Sequence, residues 1–217
     1  MLNTRLVRVK ICGITSPEAA FQAAAAGADA IGLVFYPGSP RHLADLALAR
    51  DIALAAGPLI SVVGLFVDPA PALVEDVLRK VPLGVLQFHG GENEAFCRTF
   101  ERPYIKALRM KPGADIAAQS SEYPTATGLL LDAYLPGIPG GTGEVFDWYS
   151  IPHALPRPLM LAGGLNPDNV MEAVQRVQPW AVDVSGGVES TPGAKDPQLV
   201  ANFIARAKSI RIPMKGE

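Results

Sequence analysis

Cysteine is scarce in this chain of 217 residues, with Cys12 and Cys97 as its two examples. Two thiols cannot frame a disulfide-stapled secreted fold, and their setting points to a reduced, cytoplasmic protein. Charge of one sign is lacking too. The formal net charge is -2 at pH 7, which excludes a polybasic footprint and so argues against nucleic acid or an anionic membrane surface as partner. A mean hydropathy of +0.21 prompts a search for a membrane span. The most apolar stretch, residues 52–67, is broken by Gly57-Pro58 and contains Ser61, so it reads as a helix end, a turn and a buried strand. The opening MLNTRLVRVKICGIT carries Arg and Lys inside its apolar part, unlike a signal peptide. No GxGxxG follows the first apolar run, and no cluster of His, Cys and carboxylates has metal-ligand spacing.

What the chain does have is alternation. Short apolar runs at residues 6–11, 30–35, 59–67, 84–88, 103–108, 128–131, 158–162 and 181–184 are separated by helical patterns. The first helix is capped by Thr15 or Ser16 and stops at Gly27. Others are expected over residues 44–56, from Asp68-Pro69 to about 80, over 92 to about 100, from Asn166-Pro167 onward, and over 196 to about 208. Residues 109–127 hold a short helix at best, and the exit of the sixth run, AYLPGIPGGTGEVFDW, is a long loop rich in Pro and Gly. Eight strands, apolar throughout, alternating with helices predict a parallel α/β sheet with right-handed crossovers, and no composition break divides residues 1–217 into more than one domain.

Alternation alone does not separate a closed (β/α)8 TIM barrel from an open doubly wound sheet. The seventh and eighth units favour the barrel. Each strand there ends in paired glycines, Gly163-Gly164 and Ser185-Gly186-Gly187. Glycine lets backbone approach a ligand closely, and successive N–H groups form an anion nest. Two such nests on neighbouring strand ends suit a phosphate, and barrels often place one after strands seven and eight.

Barrel chemistry sits at strand C-termini, where this chain has Cys12, Arg41, His89, Asp132, Asp183 and Ser185. Position alone leaves each open. A lone cysteine is usually a small buried apolar residue. An Asp after a strand commonly caps a turn. His89 before Gly90-Gly91 suits loop orientation as well as proton transfer, and Arg41 suits a solvated surface charge.

The motifs change that balance. KICGIT (10–15), FYPGSPR (35–41), GLFVD (64–68), LQFHG (86–90), LLLDA (129–133), GGTGEVFDW (140–148), LAGGLNPDNV (161–170) and DVSGGVE (183–189) occur in this order along almost the whole chain. Together they resemble the phosphoribosylanthranilate isomerase family of tryptophan biosynthesis. The resemblance implies a (β/α)8 barrel and an Amadori rearrangement of N-(5-phosphoribosyl)anthranilate to the carboxyphenylamino-deoxyribulose phosphate. It implies Cys12 as general base, Asp132 as general acid and Arg41 as the partner of the anthranilate carboxylate. It also implies phosphate held at Gly163-Gly164 and at Ser185, Gly186 and Gly187, with further substrate contacts at His89, Gly143 and Asp183. The expected partner is a small phosphosugar, and an internal proton transfer with no net redox change needs neither a metal nor a nucleotide cofactor.

Those roles set requirements. Asp132 must carry a proton to protonate the furanose oxygen, so its pocket is expected to raise its pKa by desolvation. Cys12 must work as a thiolate, helped by a nearby positive charge. Lys10 lies two residues earlier on the same strand, faces the same way and is the expected source of that charge. Many relatives read DVSSGVE, so Gly186 here removes one hydroxyl donor while keeping the backbone nest. Pentose-phosphate epimerases would want metal-binding His and Asp on several strand ends, and indole-glycerol-phosphate synthase would want Lys and Glu there. A non-catalytic phosphosugar-binding barrel would keep the glycine loops without needing Cys12 or Asp132.

Overall fold

Eight parallel strands close into a barrel in chain order in the computed structural model, which describes residues 4–111, 113–133, 148–152 and 155–213. The strands are β1 (Arg8–Cys12), β2 (Ala30–Val34), β3 (Ser61–Phe66), β4 (Val85–Phe88), β5 (Tyr104–Met110), β6 (Gly128–Ala133), β7 (Leu159–Leu161) and β8 (Ala181–Val184). The helices among the described residues are α1 (Pro17–Ala25), α2 (Leu46–Ala55), α3 (Pro71–Lys80), α4 (Glu94–Arg98), α5 (Ile116–Ser121), α6 (Val170–Val177) and α7 (Pro197–Lys208). None is long and apolar enough to cross a membrane. The barrel shuts where β1 meets β8, with Lys10 opposite Asp183 and Ile11 opposite Val184.

Strand pleat decides what faces the barrel axis. Successive residues point to opposite faces, so one parity of every strand lines the interior. Ile105, Ala107, Leu130, Met160, Ala162 and Ala181 form an inner cluster separate from the main core, which takes Val9, Ile11, Leu129, Leu131, Val182 and Val184 under the helices. Lys10 and Cys12 on β1, Gln87 on β4, Asp132 on β6 and Asp183 on β8 share the inner parity, and all are buried. Polar side chains inside an otherwise apolar barrel must find partners.

The helix starts follow from short polar side chains. Ser16, Asp45, Asn93, Asp115 and Asp196 each accept from backbone amides of the first turn, a contact worth about 1 kcal/mol apiece. Gly27 and Gly57, with φ of 95° and 85°, follow the ends of α1 and α2 in the left-handed conformation that stops a helix.

Several expected boundaries move. The first apolar run splits, because Thr4–Leu6 pairs antiparallel with Arg211–Pro213 and the barrel strand begins only at Arg8. The helix expected to open at Asn166-Pro167 starts at Val170. Asn166 Oδ1 accepts from the amides of Asp168 and Asn169 and holds a turn there, which competes with helix. Strands five and six both run past their expected ends at 108 and 131, pairing Arg109 with Asp132 and Met110 with Ala133. Asp132 is therefore set by a strand ladder. After β8 come two elements with no counterpart in the sequence reading, a 3-10 turn at Gly186–Val188 and a ribbon of Glu189–Thr191 against Ala194–Lys195.

Candidate active site

The C-terminal ends of the strands surround a cavity of about 140 Å³. Cys12, Arg41, His89, Asp132 and Asp183 line it, together with Gly163, Gly164 and the segment Ser185, Gly186 and Gly187. Residues scattered over six βα units are thus brought to one cavity. Gly143, the remaining expected contact, lies outside the described residues.

Cys12 ends β1 and is 5% exposed. The absence of a side chain at Gly32 on β2 makes room for it, since a Cβ there would stand 2.8 Å from Cys12 Sγ and 3.1 Å from Lys10 Cε. Lys10 does share the inner face, yet its charge is not held for Cys12 alone. Its Nζ donates to Asp183 Oδ1 at 2.9 Å across the barrel closure. Burial works against a charged ammonium, but Asp183 and then Cys12 hold Lys10 above its ordinary value. Burial in turn pushes the Cys12 thiol up, opposed by Lys10 and Lys195 and reinforced by Asp183. The expected assistance from Lys10 is present in sign and is outweighed by burial.

Replacement of Lys10 by methionine raises the Cys12 pKa further, as read from the pH dependence of iodoacetamide alkylation. An unchanged value would remove Lys10 from the account. Because that change alone strands buried Asp183, at a cost of about 3–5 kcal/mol, Lys10→Met/Asp183→Asn is the companion variant. Lys10 acts on Cys12 more strongly than Asp183 does, so the double variant also shows a rise, a smaller one.

On the far side of the cavity Asp132 Oδ2 lies 3.1 Å from His89 Nε2, and Gln87 Nε2 lies 3.3 Å from His89 Nδ1. The imidazole bridges the Gln87 amide and the Asp132 carboxyl, and Gln87 Oε1 has no partner among the described residues. His89 thus engages one carboxylate oxygen and leaves Oδ1 for a ligand. The loop that follows is fixed by Glu92, whose buried carboxylate accepts from the amides of Asp68 and Gly90 and pairs with Lys106 Nζ at 2.7 Å. No motif marks Glu92, which sits outside any strand end.

Arg41 is far from a solvated surface charge. Its Nε and Nη2 donate to Glu189 Oε1 and Oε2 at 2.8 and 2.7 Å, a two-point fork. Lys195 Nζ also reaches Glu189 Oε1, at 2.6 Å, and donates to the carbonyl of Ser185 at 3.1 Å. Burial raises the Glu189 carboxyl, and Arg41 and Lys195 more than reverse this, leaving it below its usual range. Burial likewise lowers Lys195, with Glu189 restoring part of the loss. Glu189 closes the DVSGGVE motif and was visible there, whereas Lys195 reaches the site through a ribbon that no motif marks.

The two glycine loops meet face to face. Gly163 and Gly164 have φ of 81° and 68°, and a Cβ on Gly163 would lie 2.4 Å from the backbone nitrogen of Ala133. Among the described residues their amides donate to no protein acceptor, so they remain available to an anion. A Cβ on Gly187 would fall 2.0 Å from the carbonyl oxygen of Leu165. Gly187→Ala therefore forces the loops apart, at about 1–3 kcal/mol of strain, with roughly a tenfold or larger loss of affinity for a phosphate ester. Thermal melting and calorimetric titration together check both effects.

A family model for N-(5'-phosphoribosyl)anthranilate (PRA) isomerase matches residues 9–206. The N-(5'-phosphoribosyl)anthranilate isomerase of Cellvibrio japonicus is 54% identical over 213 residues, covering 97% of this chain and 99% of its own. The crystal structure of phosphoribosyl anthranilate isomerase from Thermotoga maritima superposes with a TM-score of 0.85 at 42% identity, covering 94% of this chain and 100% of the other. A crystal structure of such an isomerase in complex with reduced 1-(o-carboxyphenylamino)-1-deoxyribulose 5-phosphate gives 0.82 at 39% identity, again over 94% and 100%.

Proposed function

Since the chain belongs to the N-(5'-phosphoribosyl)anthranilate isomerase family, an isomerase of tryptophan biosynthesis, we propose that Cys12 and Asp132 carry its Amadori rearrangement as base and acid. The observation that supports this most is their placement. A thiol on β1 and a carboxyl on β6 open into one cavity whose next wall is the pair of glycine loops.

The phosphate of the substrate anchors at Gly163-Gly164 and Ser185 to Gly187, where backbone amides and the glycine geometry suit an oxyanion. Its anthranilate carboxylate meets Arg41. Asp132 then gives its proton to the furanose ring oxygen as the bond from C1′ to that oxygen breaks, and the anilino nitrogen supplies the electron pair that makes the iminium. The positive iminium acidifies the C2′ hydrogen, which the Cys12 thiolate removes, leaving an enaminol. Loss of the enol proton and protonation of C1′ complete the 1-amino-2-ketose. His89, held by Gln87, positions Asp132 throughout. Asp183 is occupied by Lys10 on one oxygen and reaches the substrate with the other. Each general acid or base step of this kind contributes roughly 10²–10⁴-fold.

The test is an isomerase assay on freshly generated N-(5'-phosphoribosyl)anthranilate, following loss of anthranilate-type fluorescence with a chelator present throughout. Turnover is expected. A protein that binds the reduced product analogue but leaves the substrate unchanged would send the assignment of Cys12 and Asp132 back to other phosphosugar chemistry.

A further inference from the structure

Arginine offers a carboxylate two equivalent edges, one formed by Nε and Nη2 and the other by the two terminal nitrogens. In this protein the first edge of Arg41 is taken by both oxygens of Glu189. Nη1 donates to nothing among the described residues. The stem is equally restricted, because Gly13 leaves only enough room for it: a Cβ at that position would be 2.4 Å from Arg41 Cδ and 3.1 Å from Ser185 Oγ.

We infer that Glu189 is a specificity-determining positioning residue: it clamps the side edge of Arg41 so that the terminal edge alone meets the carboxylate of the substrate, while Lys195 ties that clamp to the phosphate loop at Ser185. The inference rests on the reading of Arg41 as the carboxylate contact. One arginine, one lysine and one glutamate leave the cluster with a single positive charge, which is the charge a carboxylate ligand needs to meet. Glu189 cannot be a temporary occupant that the substrate displaces. Its side chain and that of Lys195 are 4% and 2% exposed, so a displaced Glu189 would abandon the buried Lys195 ammonium as well as the Arg41 guanidinium. Because Lys195 also holds the Ser185 carbonyl, the cluster sets the spacing between the carboxylate end and the phosphate end of the ligand. Substrates of a different length between those two anions would be discriminated against on that account.

The test compares the natural substrate with N-(5-phosphoribosyl)aniline, which lacks only the carboxylate, both formed from ribose 5-phosphate and the amine and both followed by chromatography of the ketose product. Glu189→Gln is expected to raise KM for the carboxylate substrate about tenfold while changing kcat much less, the scale of one misdirected charge-assisted hydrogen bond. With the aniline substrate the same variant loses much less, only what a weaker Lys195 tie at the Ser185 loop costs, and its turnover there also shows that it is folded. Arg41→Gln gives the same selective loss, and adding Glu189→Gln to it changes little more. Glu189→Asp keeps the charge one methylene short of the guanidinium; it reproduces the selective loss and serves should the glutamine variant not fold. If Arg41→Gln impairs both substrates equally, the carboxylate reading of Arg41 fails. If Arg41→Gln discriminates between them and the Glu189 variants do not, the clamp is overturned by itself.

Discussion

Cys12→Ala lowers kcat by about 10²–10⁴-fold and leaves affinity for the reduced product analogue within a few-fold of wild type, the pattern of an interaction made only at the transition state. The methyl that remains fits the pocket beside Gly32, so the loss is chemical and the fold is retained. Nothing else on the inner face of β1 can take a proton from carbon: Lys10 is ion-paired and carries its full charge at neutral pH. The pH profile adds a second check. Burial holds the thiol proton, so kcat/KM of the wild type rises with pH along a limb set above the ordinary cysteine value. The sign is that of a base whose active form is deprotonated, so activity is lost as pH falls through that limb. In Lys10→Met the limb moves to still higher pH. An alanine variant that keeps more than about a tenth of wild-type kcat would take the base role away from Cys12.

Asp132→Asn produces a fall of similar size, about 10²–10⁴-fold in kcat, for a different reason. Asparagine preserves the volume of the side chain and an oxygen for His89 Nε2, 3.1 Å away in the wild type, but it has no acidic proton to give the ring oxygen. The two variants are separable by deuterium at C2′ of the substrate. Where ring opening has become the slow step, as in Asp132→Asn, the isotope effect is suppressed. In Cys12→Ala, where proton removal from carbon is slow, it is large. The opposite assignment of isotope effects would exchange the roles of the two residues, and equal effects in both would deny the separation into acid and base.

Much of this site was legible as residue types at strand ends. Cys12, His89, Asp132 and the two glycine pairs follow apolar runs at a regular spacing, and a barrel sends all strand ends to one face. Arg41 could be named but not described, since its partner Glu189 lies 148 residues away in sequence. The charge expected beside Cys12 from Lys10 is shared with Asp183, because the register that sets Asp183 opposite Lys10 belongs to barrel closure. The departures in the fold have similar causes. Leu6 reads as the start of an apolar run until Arg211–Pro213 arrives from the other end of the chain to pair with Thr4–Leu6. The start of α6 was displaced by a local competitor, the Asn166 side chain, which sequence pattern could not weigh against a proline placed well for a first turn.

The amino-acid order by itself determined the alternation of strands and helices, the parity of residues facing the barrel axis and the paired glycines. These are properties of neighbours along the chain, governed by pleat, periodicity and backbone freedom. Only the tertiary structure decided which charges those groups feel. Lys10 is balanced by Asp183, Arg41 is gripped by Glu189, and Lys195 is brought under Ser185 by a ribbon. Each pairing joins segments distant in sequence within a buried site, where Coulomb forces are strong and depend on separations of a few ångströms, and only the closed barrel sets those separations.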